Sequence, residues 1–220
     1  MRTVILAVAL TTLTAAPLLA QSERGYLDGA GGFVASPDRT SGDLLLEGGV
    51  RIAPHLLVFG DLGRFHDLQP SDVQPLVDSA TSQLLANQGL GVTGTGRVPA
   101  TYSIGGLRYE RPATHHVAPY VLGGIGMARL MPTAHFAFAS GTLPDGTTAS
   151  VGDDVTNQVI STGAFITPTP TNAFMFSLGG GVDVPMAKHW MVDAGYRFSR
   201  VKADTPLNAQ GATFGFGYRF

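Results

Sequence analysis

The last residues of the chain alternate: Phe214, Phe216, Tyr218 and Phe220 hold the even positions, and Gly215, Gly217 and Arg219 the odd ones. A period of two is that of a β-strand with one apolar face and one small or polar face. The strand runs to the final residue, where a free chain end would fray. A closed barrel explains this, because its last strand must pair with its first to leave no open edge. The same alternation recurs upstream. Residues 42–52 set Leu44, Leu46, Val50 and Ile52 against Asp43, Glu47 and Arg51; residues 173–184 set Phe174, Phe176, Leu178, Val182 and Val184 against Ser177 and Asp183. Residues 189–201 set Trp190, Val192, Ala194, Tyr196 and Phe198 against Asp193, Arg197 and Ser199.

Four more extended segments, 24–35, 55–65, 100–110 and 117–130, complete a set that ends with 210–220, about eight strands in all. Their parity is open, since Gly105-Gly106 and Gly123-Gly124 suit either a bulge or a change of face. Short turns follow the second, fourth and sixth segments, at 53–55, 111–115 and 185–188, whereas the third and fifth are followed by long connections, 67–99 and 131–172. All short turns therefore fall at one end and both long loops at the other, the asymmetry of a barrel with periplasmic turns and extracellular loops. In the first loop Val73, Leu76, Val77, Ala80 and Leu84 follow a helical period, with Ser71 or Asp72 as cap and residues 89–96 as a flexible return. In the second, Pro144-Asp145-Gly146 is a turn signal between strand-like stretches, as in a protruding hairpin. The expected fold is all-β: a closed antiparallel up-and-down transmembrane β-barrel of about eight strands with a short helix in one extracellular loop.

Alternation alone does not say which face is outside, since a soluble lipocalin-like barrel would put its charges outward. Composition separates the two. Charged residues are 14% of the chain, against roughly 25% in soluble domains, and Lys188 and Lys202 are the only lysines. The non-apolar face of Gly, Ser, Asp and Arg lacks a soluble coat and suits a cramped interior. Met1-Arg2-Thr3, the apolar run from Val4 and the small residues ending at Ala20 read as an export signal over residues 1–20, leaving 21–220 as one barrel domain. The chain has no cysteine, which removes thiol chemistry, and a net charge of −2, which offers no footprint for nucleic acid.

With the apolar face in lipid, Asp43, Glu47, Arg51, Asp183, Asp193, Arg197 and Arg219 point inward and are expected to form an Arg–carboxylate network. That network fits a polar path for small solutes or a salt-bridged plug; in so narrow a barrel side chains fill the interior, which favours the plug. Tyr26, Tyr109, Tyr120, Trp190 and Tyr218 fall near the short-turn ends of strands, and Phe33, Phe65, Tyr102, Phe174 and Phe198 near the long-loop ends, as two interfacial girdles would.

Three stretches carry a resemblance: Pro119-Tyr120-Val121-Leu122-Gly123-Gly124-Ile125-Gly126, Asp193-Ala194-Gly195-Tyr196-Arg197-Phe198 and the closing Gly217-Tyr218-Arg219-Phe220. With the signal-like start, the chain resembles the small outer-membrane β-barrel superfamily, the OmpA/OmpX/OmpW-like set. The resemblance implies an outer-membrane location, surrounding outer-membrane lipids, and a terminal aromatic read by the outer-membrane assembly machinery, here Phe220 aided by Tyr218 and Phe216. It implies no cofactor and no particular activity.

Candidate chemistry is sparse. His55, His115, His116 and His189 sit at turns of different hairpins, as interfacial polar residues do. Asp153-Asp154 offers too few ligands for a Ca²⁺ site. Some small outer-membrane barrels cut or transfer acyl chains of lipid A; His135 with Ser140 is the only loose candidate for such a pair, and no nucleophile motif accompanies it. The sequence thus points to a non-enzymatic structural or surface-interacting barrel whose loops meet an extracellular ligand or partner, with a narrow channel as first alternative and a lipid A-modifying acyl hydrolase or transferase as second.

Overall fold

The computed structural model describes residues 24–37, 39–68, 73–111, 117–203 and 206–220. The export-signal residues, Ser71, Asp72, His115 and His116 lie outside these. Among these described residues ten strands and two helices follow in chain order: β1 Gly25–Ala35, β2 Thr40–Ala53, β3 Leu56–Phe65, α1 Gln74–Gln88, β4 Gly91–Arg97, β5 Ala100–Glu110, β6 Ala118–Leu130, β7 Thr133–Ser140, α2 Thr156–Ser161, β8 Thr171–Pro185, β9 Trp190–Lys202 and β10 Leu207–Arg219. Eight strands close into an antiparallel barrel in the order β1-β10-β9-β8-β6-β5-β3-β2, and β4 and β7 form a separate two-stranded sheet.

The seam joins the first and last barrel strands. Tyr26 pairs with Arg219 and Ala35 with Gln210, and the Phe220 carbonyl accepts from the amides of Arg24 at 2.6 Å and Gly25 at 3.0 Å. No strand edge is left in the barrel, the condition for a sheet solvated by lipid. The eight extended segments of the sequence are the eight barrel strands, the four of open parity included. Register runs unbroken through Gly105-Gly106 and Gly123-Gly124, so neither pair is a bulge or a face switch. The irregularity lies between Arg51 and Ala53.

Side-chain direction separates two environments. Leu44, Leu46, Leu62, Ile125, Leu178, Phe214 and Phe216 are exposed on the outer wall, while every acid on the barrel strands is buried inside. This inversion of the soluble pattern is the one expected where the outer wall faces hydrocarbon.

The girdle assignment needs correction. Tyr109, Trp190 and Tyr218 do face outward at the short-turn end, with Trp190 stacked on Phe216 at 4.9 Å and edge-on to Tyr218 at 5.1 Å. Tyr26 and Tyr120 instead point inward, as do Phe65 and Tyr102 at the other end. The three tyrosines have acid partners in the lumen, whereas Phe65 stacks on Tyr102 at 4.6 Å. Tyr102 lies across from Gly63, and an added Cβ there would meet the phenol at 2.2 Å. We expect Gly63→Ala to push the ring off Asp43 and cost about 1–3 kcal/mol, read as a lowered urea midpoint in detergent.

The loops differ most from the sequence expectation. Residues 89–96 are not a flexible return; most of them form β4, and the second loop does not fold into its own hairpin. Instead β4 and β7, one from each loop, pair in antiparallel register, Thr95 facing His135. Helix α1 packs on β4 through Val77, Ala80 and Leu84, while Leu76, assigned to the same apolar face, is 49% exposed. Val77 sits where a Cβ on Gly94 would stand, so helix and strand approach this closely only over a glycine. Gln74 fastens the pair, accepting from the Gly96 amide at 2.9 Å and donating to the Gly94 carbonyl at 3.3 Å. The short helix α2, which no pattern announced, lays Val159 against this assembly.

Candidate functional site: the filled lumen and its cap

The centre of the lumen is Arg108, on β5, a residue the sequence analysis did not single out. Its guanidinium is 2% exposed and donates to Glu47 Oε1 at 3.0 Å and to Asp183 Oδ2. The Tyr26 and Tyr120 rings flank it, with centroids at 4.6 and 3.6 Å from Cζ, a cation–π sandwich. The Tyr26 hydroxyl donates to the same Glu47 oxygen at 2.6 Å. Arg197 reaches across the lumen from β9 to Glu47 Oε2 at 2.6 Å and to Asp61 on β3. Arg219, near the chain end, joins Asp183 at 2.7 Å and Glu110 at 3.1 Å.

Of the seven residues anticipated for the lumen, the structure thus brings Glu47, Asp183, Arg197 and Arg219 together through Arg108. Asp43 stands nearer the long-loop end and accepts from the Tyr102 hydroxyl at 3.2 Å. Asp193 contacts the Tyr120 hydroxyl and its cross-strand neighbour Asp183. Arg51 is half-buried at the short-turn end and joins no ion pair among the described residues. Asp28, Asp61, Arg108 and Glu110 were missed. Their strands carry the glycine-rich stretches that hid parity, although counting outward from Leu107 and Tyr109 would have put Arg108 and Glu110 inside.

Asp183 and Asp193 oppose each other directly, and Asp183 Oδ1 and Asp193 Oδ2 both lack a hydrogen-bond donor. Like charges in register destabilise a sheet. Asp193→Asn supplies an N–H at unchanged volume, so we expect an unfolding free energy equal to the parent's or raised by up to about 1 kcal/mol, measured by urea titration in detergent.

Among the described residues, two voids of about 10 Å³ each lie between these side chains, one beside Asp28, Glu47, Tyr120 and Asp193, the other beside Asp43, Arg197 and Ser199. Each has room for roughly one water and no more. Towards the long-loop end the filling turns apolar. Val34, Leu45, Phe65, Leu130, Met175 and Val201 form one continuous core with Leu68, Val77, Leu84, Phe136, Val159 and Phe165 of the loops. The paired loops are therefore a cap seated in the barrel mouth. Asp67 clamps its base: the carboxylate accepts from the Val98 amide at 2.9 Å and pairs with Arg39 at 3.1 Å, and its own amide donates to Ser41.

His135 and Ser140 do not form a catalytic pair. They lie five positions apart on β7, on opposite faces and about 16 Å apart along the strand. His135 Nε2 stands 3.2 Å from Asp154 Oδ2 on the open surface. Hydrogen bonds from the Thr156 hydroxyl and amide hold the Asp154 carboxyl below the usual carboxylate range. Asp153 Oδ2 is occupied by the Ser150 amide at 2.8 Å, and no group of metal-ligating side chains occurs among the described residues.

The family model for the outer membrane protein beta-barrel domain matches residues 5–220. The chain belongs to this family. Its membership places the protein in the outer membrane, where the exposed apolar wall is covered by lipid. Among solved structures, Neisserial surface protein A superposes with a TM-score of 0.53 at 15% identity, covering 89% of this chain and 96% of that one. Ail of Yersinia pestis gives 0.47 at 14% identity, over 90% and 100%, and the N-terminal barrel of Pseudomonas aeruginosa OprF 0.48 at 12%, over 91% and 100%. At these identities the likeness is one of fold. No curated relative matches the chain.

Proposed function

We propose that this outer-membrane β-barrel domain protein is a non-conducting, non-enzymatic barrel that holds a folded cap on the cell surface, exported by residues 1–20, and that the cap is its surface for extracellular contacts. The observation that carries this reading is the continuity of filling. Among the described residues, a salt-bridged layer around Arg108 and an apolar layer beneath the cap fill the lumen, and the two voids between their side chains hold about 10 Å³ each. A path for solutes would need a row of such spaces joined end to end. Long loops in this architecture face the exterior, and here they are locked together by β4–β7 pairing rather than left as independent arms. The exposed ends of Phe216, Tyr218 and Phe220 on the outer wall support a role for this strand as the segment read during assembly.

Reconstitution into planar lipid bilayers tests the reading. We expect a flat current trace at up to 100 mV, unchanged when the second loop is shortened between Thr133 and Pro170 only if the salt-bridged layer alone closes the barrel. Resolved single-channel steps from the intact chain would refute the closed lumen and favour the channel.

A further inference from the structure

The charges on the barrel strands are sorted by sign as well as by side. Every acid points inward. The charged residues on the outer wall are all cationic, Arg64, Arg129, Arg200 and Lys202, and all lie near the long-loop ends of their strands. None of the four has a carboxylate partner among the described residues. Two of them are brought together by register. Arg64 on β3 pairs with Thr101 on β5, and Thr101 with Arg129 on β6. Two inter-strand spacings separate the arginines, about 10 Å between Cα atoms, so both side chains can reach one anion above Thr101. Asn172 continues the row beyond Arg129.

Directly below this row, towards the membrane middle, the wall is hollowed. One groove of about 450 Å³ runs under Arg129 and is lined by Leu62, Thr101, Ser103 and Met127. Another, shallow and open along its length, lies under Arg64 between Gly29, Leu44 and Leu62. Leu62 is the ridge between them. The row beneath the arginines is Leu46, Leu62, Ser103 and Met127; the small Ser103 leaves space between Leu62 and Met127, and on the other side of Leu62 the wall is bare over Gly29, which pairs with Leu46.

We propose that Arg64, Thr101 and Arg129 form a binding site for a phosphate-bearing, multiply acylated lipid of the outer leaflet, its phosphate held between the two guanidinium groups and its chains laid in the grooves on either side of Leu62. Charge complementarity selects this occupant. An unpaired arginine pair at the height of the headgroups matches a phosphate in planar, bidentate fashion, and the grooves beneath offer apolar surface where acyl chains lie. A general snorkelling anchor would need neither the shared register nor the hollows.

The test uses the full chain refolded in detergent micelles and native mass spectrometry with two probes, a bis-phosphorylated hexa-acyl lipid A and its dephosphorylated counterpart. The double substitution Arg64→Gln, Arg129→Gln is expected to weaken the phosphorylated lipid about tenfold or more and to leave the dephosphorylated one unchanged. Arg200→Gln with Lys202→Gln removes as much charge from β9 and should change binding less than twofold. The site is refuted if the Arg64/Arg129 variant binds the phosphorylated lipid like the parent, if the β9 variant loses as much, or if both probes weaken equally. All four positions are exposed on the outer wall, so the variants keep the packed lumen that folds the barrel.

Discussion

Replacing Arg108 by methionine is expected to lower unfolding stability by about 3–5 kcal/mol, the cost of removing one partner from a buried ion-pair network. The side chain is buried to 2% and is shared by Glu47 and Asp183, with Tyr26 and Tyr120 against its faces. Methionine fills much of the volume but leaves Glu47 with Arg197 and Asp183 with Arg219 as their remaining cations. Two acids on opposite walls then lose the group that ties them together. Arg108→Lys keeps the charge without the fork that reaches both acids at once, and should fall between parent and methionine variant. Urea unfolding in detergent reads the effect. The double variant Arg108→Met, Asp183→Asn should recover part of the loss, because the uncompensated acid has gone with its partner. A methionine variant as stable as the parent would mean that the lumen is hydrated enough to solvate these acids itself.

The second large effect lies in the cap. Phe136 is fully buried, meets Phe165 edge-on at 5.3 Å, and its amide donates to the Thr156 hydroxyl at 2.9 Å. Phe136→Ala should cost about 3–5 kcal/mol in this core. The cap is a small unit joined to a large barrel, so the loss will appear as local opening before global unfolding. Amide hydrogen exchange is the direct readout: β4, β7 and α2 should lose protection by orders of magnitude while β1, β9 and β10 keep theirs. Equal loss in barrel strands would show that cap and barrel unfold as one body.

The barrel was legible because a strand between lipid and a crowded interior must alternate, and Phe214 to Phe220 or Val192 to Phe198 do so without a break. The cap was not, for physical reasons. Residues 91–97 read Gly-Val-Thr-Gly-Thr-Gly-Arg, a stretch with little apolar side chain to show a face. Its strand character comes from pairing with β7 and from α1 resting on Gly94, neither of which is local. Tyrosines were ambiguous for another reason: a phenol suits a membrane interface and a charged lumen equally. Tyr109 took the first environment, and Tyr26 and Tyr120 the second, where Glu47 and Asp193 accept from their hydroxyls. Arg108 escaped notice because Gly105-Gly106 precedes it and blurs the count of faces, yet the most buried cation in the lumen is the one that the rest of the network is built around.

The wall itself can be interrogated through Trp190, the single tryptophan of the chain, which faces outward beside Phe216 and Tyr218 near the short-turn end. The decisive measurement is its fluorescence in vesicles of phosphatidylcholine brominated at shallow acyl positions. A lipid-solvated outer wall predicts strong quenching by the brominated chains and little by aqueous iodide. Emission indifferent to the bromines and quenched freely by iodide would place that face in water and contradict the account.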